Sequence, residues 1–77
     1  MTKNDFVKEL SEYCEFEETD HTVDTMFDSV EGYDSLAVMS IIAFTDENFG
    51  VKLTAAQLKD LTDFNSLISL IGNDKFD

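Results

Sequence analysis

The stretch from Asp34 to Gly50 constrains this chain more than any other part of it. Asp34-Ser35-Leu36 opens a run without glycine or proline that continues to Phe49, where Gly50 stops it. At helical spacing Val38, Ile41, Ile42, Thr45 and Phe49 share one face, with Leu36, Ser40, Ala43 and Glu47 on the other side. A helix with one apolar face must bury that face against other elements. Asp34 can cap it by accepting from the free amides of the first turn. Ser35 then sits on that turn with its hydroxyl toward solvent, a placement that suits a hydroxyl another protein must reach and modify.

The rest of the chain supplies partners for such a helix. Thr2 reads as a cap with Asp5 three residues on, and Phe6, Val7, Leu10, Tyr13 and Cys14 follow one helical face. Residues 15–33 lose the period, carrying seven acidic residues among Phe16, Val23, Met26, Phe27 and Val30. This is a long loop with room for one short helical turn, pinned by those apolar side chains. Past Gly50, Thr54 and Gln57 form a second capping box that starts a short helix running to about Leu61. Thr62 or Asp63 caps a last helix bearing Phe64, Leu67, Ile68 and Ile71, closed by Gly72, and residues 73–77 read as a frayed tail. The expected fold is all-α: a small four-helix bundle, three main helices plus one short one, with a long loop between the first and second.

Size and charge narrow the function. A chain of 77 residues is expected to form a single domain with one modest core. Five basic against seventeen acidic residues give a net charge of −12. That charge repels a phosphate backbone, so nucleic acid is excluded as a partner, while a basic protein surface would be steered toward it. No run reaches the roughly 18 apolar residues of a membrane span. The start MTKNDF lacks a secretory pattern and one cysteine allows no internal disulfide, so a cytoplasmic monomer is expected.

With these features in hand, the chain resembles the acyl carrier proteins. The likeness runs from the first helix to Gly72 and is most specific at Asp34-Ser35-Leu36, the helix behind it and Phe49-Gly50. The resemblance implies that a phosphopantetheinyl transferase attaches 4′-phosphopantetheine to Ser35. The arm's thiol would then carry acyl groups as thioesters to partner enzymes of fatty acid, polyketide or a related specialised pathway. A phosphodiester there would lie near the positive end of the helix dipole. Partner recognition would fall to Asp34, Leu36, Met39, Ser40, Asp46 and Glu47, with Ile41, Ile42, Thr45, Leu61, Phe64 and Ile68 as lining for an acyl chain tucked into the bundle.

The chain also departs from that family's fatty acid members, which commonly place acidic residues two and five positions after the serine. Here those positions are Ala37 and Ser40, and acidity waits until Asp46 and Glu47. The exposed side near Ser35 is expected to be Leu36, Ala37, Met39, Ser40, Ala43 and Phe44, with Tyr33 before the aspartate. That apolar surface points to a specialised carrier. An aminoacyl or peptidyl carrier of the D-alanyl type shares the same serine, and an unmodified acidic interaction module shares the charge.

Other signals imply little chemistry. Cys14 falls on the apolar face of the first helix and reads as a small buried hydrophobe. His21 has no second histidine or nearby cysteine for zinc, and the acidic loop lacks calcium-loop spacing, so no metal is expected. A hydrolase elbow would need glycine where Ala37 stands, so the chain is not expected to be an enzyme.

Overall fold

The structure, a computed structural model, describes residues 1–18 and 20–77; Thr19, in the expected long loop, lies outside the described residues. Four α-helices form a small all-α bundle: α1 (Lys3–Tyr13), α2 (Ser35–Phe49), α3 (Ala55–Lys59) and α4 (Phe64–Ile71). Single 3₁₀ turns at Phe27–Ser29 and Asn73–Lys75, and an isolated antiparallel bridge between Met26 and Asp63, complete the described secondary structure.

Each helix begins where a local hydrogen bond makes it begin. The Thr2 hydroxyl accepts from the Asp5 amide, Asp34 from Ala37, Thr54 from Gln57 and Asp63 from Ser66. At α3 and α4 the box is reciprocal, with the Gln57 and Ser66 side chains returning to the cap backbone. Of the two caps considered for α4, the one used is Asp63. Replacing such a cap by alanine costs about 1 kcal/mol.

The ends differ. Gly50 stops α2 at φ 67°, with open space around its α-carbon, so its left-handed backbone is what requires glycine. α1 stops without glycine. Glu15 takes φ 58°, while its amide donates to the Glu12 carbonyl and that of Phe16 to Ser11. This is a Schellman closure built on a glutamate, at some conformational cost. α3 ends at Lys59, two residues short of the expected Leu61.

Phe6, Leu10, Ile41, Phe64, Leu67 and Ile68 are fully shielded from solvent and form the centre of the core. The loop after α1 is pinned to it by Phe16, Phe27 and Val30, all buried. Met26, expected to help, instead exposes its side chain, and the backbone on either side of it makes the ties: the Phe27 amide donates to the Thr62 carbonyl at 2.8 Å, and the Asn65 amide donates to the Val23 carbonyl at 2.9 Å. These bonds tie the loop to the start of α4.

Two expectations change. Ala37 and Phe44, expected at the surface, are only 3% and 5% exposed. α1 covers that side of α2: the Phe44 ring lies 5.8 Å from Phe6 and 5.4 Å from Tyr13, and the Cys14 thiol approaches the Ala37 carbonyl at 3.9 Å. α2 is thus flanked from two sides, and its buried arc is wider than one apolar stripe. Residues 73–77 also differ from the frayed tail expected of them. Phe76 sets its ring 5.3 Å from Phe6 and 5.0 Å from Phe49, and the Met1 amine donates to the Asp77 carboxylate at 2.9 Å.

Candidate functional site

The turn before α2 aims the site. The Tyr33 amide donates to the Val30 carbonyl at 3.3 Å, and Gly32 holds φ 89°, a left-handed value that a side chain would strain. Asp34 follows in extended backbone, its carboxylate accepting from Ala37 at 3.0 Å and its carbonyl from Val38 at 3.0 Å. Ser35 is therefore the first residue of α2, with its side chain exposed beside the positive end of the helix dipole.

Around Ser35 the structure separates the residues singled out from sequence. Leu36 and Met39 are 68% and 69% exposed, an apolar pair within one turn of the serine. Ser40 is half-buried. Asp46 and Glu47 are exposed near the far end of α2, where Asp46 meets the Lys52 ammonium at 3.5 Å. The acidic pair is thus remote from Ser35 along the helix, and one of its members already faces a cation.

A cavity of about 350 Å³ opens at Ser35 between α2 and α3, lined by Ser35, Val38, Met39, Leu58, Leu61 and Tyr33, with Ala55 and Lys59 at its edge. A second, of about 400 Å³, is lined by Met26, Phe27, Asp28, Val30 and Thr62, and again by Tyr33 and Leu61. Of the six residues expected to line an acyl pocket, Leu61 reaches these cavities. Ile41, Thr45, Phe64 and Ile68 lie in the solvent-excluded core and Ile42 is half-buried. The Thr45 hydroxyl is buried with no hydrogen-bond partner among the described residues. Val38, Leu58 and Lys59 were not singled out from sequence. Their signal was weak, since nothing local says that α3 folds across the start of α2.

Tyr33 is the other residue whose part only the fold shows. Its ring is stacked on Phe27, 4.6 Å between centroids and 6° from parallel, and Phe27 meets Phe64 edge-on at 5.0 Å. Such a pair contributes about 0.5–1.5 kcal/mol beyond the area it buries. Burial raises the Tyr33 phenol above its ordinary value, with the nearby Cys14 thiol adding to the effect. Burial alone pushes the Cys14 thiol up to about 11, so it is a poor nucleophile. His21 stacks on Phe64 at 6.1 Å, and its buried Nε2 has no partner among the described residues.

No helix among the described residues is long and apolar enough to cross a membrane. No curated protein and no solved structure matches the chain significantly. The family described as phosphopantetheine attachment site does match, over residues 4–71, from the first turn of α1 to the last residue of α4. That span takes in all four helices and the exposed serine, and the chain belongs to this family, a carrier fold that bears a covalent 4′-phosphopantetheine.

Proposed function

We propose that Ser35 is the residue that bears the arm, and that the protein is an acyl carrier serving a dedicated pathway. The observation that carries this reading is the placement of Ser35: an exposed hydroxyl at the first position of α2, beside the cavity shared with α3. The residues present fit the group. The helix N-terminus favours a phosphodiester, Lys59 at the cavity edge offers a cation, and Val38, Met39 and Leu58 offer apolar surface to the cargo end of the arm. When bound, the prosthetic arm supplies a thiol that holds acyl groups as thioesters.

The chain's own residues orient and present. Asp34 fixes the first turn through the Ala37 amide and so fixes the direction of the serine side chain. Leu36 and Met39 offer an apolar contact to the transferase and to later acyl-transfer enzymes, and the −12 charge steers those with basic faces toward the bundle. Because Ala37 and Ser40 stand at the two positions where fatty acid carriers commonly place acidic residues, and the exposed Leu36 and Met39 lie beside the serine, the favoured partners dock by apolar contact first, which sets the carrier apart from general fatty acid elongation. The protein acts in the cytoplasm without catalysing a step itself.

Intact mass after incubation with coenzyme A, magnesium and a broad-specificity phosphopantetheinyl transferase tests the attachment. Wild type gains one phosphopantetheine; Ser35→Ala gains none while keeping its helical circular dichroism. A gain on Ser35→Ala would overturn the assignment. Efficient turnover of the loaded carrier by general fatty acid elongation enzymes would overturn the dedicated pathway.

A further inference from the structure

The Ser35 cavity and the cavity against the loop before α2 share two lining residues, Tyr33 and Leu61. Tyr33 comes from the turn before the helix and Leu61 from the link between α3 and α4, so the boundary between the cavities is drawn from two separate segments. The Tyr33 ring is not free to drift. It lies flat on Phe27, Phe27 is buried and braced edge-on by Phe64, and Gly32 and the Val30 carbonyl fix the backbone beneath it.

Resting on the attachment at Ser35, we propose that Tyr33 determines the length of cargo this carrier shelters, standing in the boundary the Ser35 cavity shares with the second cavity and favouring short or compact acyl groups. The tether at Ser35 brings the arm and its cargo to this cavity at high effective concentration. Val38, Met39 and Leu58 make its walls apolar, so each methylene of an acyl chain gains shelter as long as the cavity continues. At Tyr33 it stops. A longer chain reaches the second cavity, with its apolar Met26, Phe27 and Val30, only by lifting the ring from its stack. The core offers no other refuge, because Ile41, Phe64, Leu67 and Ile68 already fill it.

The test loads wild type, Tyr33→Ala and Tyr33→Phe with straight-chain acyl groups from acetyl to decanoyl, using a broad-specificity transferase and the acyl-coenzyme A donors. Intact mass confirms each loading. Cleavage by hydroxylamine is then timed: its nitrogen attacks the thioester carbonyl, forming the hydroxamic acid and releasing the arm's thiol. In wild type, protection rises over the short acyl groups and then stops rising. In Tyr33→Ala it continues, with octanoyl and decanoyl cleaved roughly threefold more slowly than in wild type. Tyr33→Phe keeps the ring and follows wild type. Amide resonances give a readout independent of reactivity: decanoyl loading shifts Asp28 and Thr62 in Tyr33→Ala but not in wild type.

Equal chain-length profiles in wild type and folded Tyr33→Ala overturn the proposal. Should Tyr33→Ala fail to fold, Leu61→Ala opens the same boundary from the other segment and is read the same way. Absence of any mass gain in wild type overturns the attachment itself, and is seen before any cleavage is timed.

Discussion

The two ends of α2 are built differently. At its C-terminal end the rings of Phe6, Phe44, Phe49 and Phe76 lie against one another at 5.0–5.8 Å, drawing on α1, α2 and the C-terminal segment. At its N-terminal end one aromatic stack, Tyr33 on Phe27, stands between two cavities of about 350 and 400 Å³. The closed end holds the bundle together. The open end leaves unfilled space beside Ser35, where an attached arm would need it. The packing is thus concentrated away from Ser35, the proposed attachment residue, and a tightly filled site there would have no room for cargo.

The sharpest way to break this comparison is to hollow the closed end. Phe6→Ala is expected to cost about 3–5 kcal/mol in urea denaturation, much of the stability of so small a domain. The open end tolerates more: Asp34→Ala should cost about 1 kcal/mol, for one lost cap. Equal costs for the two would mean that the aromatic cluster does not hold the bundle.

Two smaller measurements sharpen the contrast. Cys14 lies behind the open end, against the Ala37 carbonyl. With its thiol raised from 9.0 to about 11, it should alkylate with iodoacetamide roughly a hundredfold more slowly than an ordinary thiol, and recover in denaturant. Ordinary reactivity in the native state would show that α1 does not cover this side of α2.

The smallest effect concerns Glu17, whose carboxyl is raised by a hydrogen bond with Glu31 and then by the Glu31 charge. A raised acid is favourable below its ordinary value of 4.5 and loses that contribution as pH rises through the raised one. At neutral pH the charged pair therefore opposes folding. Glu31→Gln should lift the melting temperature slightly there, with the gap closing as pH falls through the carboxylate range. A gap that widens on acidification would reverse the sign of the interaction.

Much of this architecture was legible in the sequence. Thr2, Asp34, Thr54 and Asp63 mark helix starts because a cap is a contact over three residues, and Gly50 marks an end because its φ of 67° is a local demand. Ser35 was legible for the same reason, as the residue after a cap. The end of α1 was less so, since Glu15 takes the left-handed position without a glycine to announce it. Periodicity placed Ile41 and Thr45 on the core face and missed Ala37 and Phe44, because it cannot say that a second helix lies against the flank of the first. Of the acyl-pocket candidates, Ile41, Ile42 and Thr45 lie on that same α2 face, and Phe64 and Ile68 on the core face of α4. The cavities are instead lined by residues of the loop and turn before α2, the start of α2, α3 and the link after it, with Leu61 common to the candidates and the cavity walls.

By itself the sequence determined the four helices, the long acidic loop and the exposed serine on the first turn of α2. All of these follow from hydrogen bonds and apolar spacing within a few residues. Only the tertiary structure decided which flank of α2 is covered, that Phe76 folds back onto Phe6, and that Tyr33 meets Phe27 and Leu61 beside Ser35. Those are contacts between segments far apart in the chain, set by how helices share a limited core rather than by any local preference.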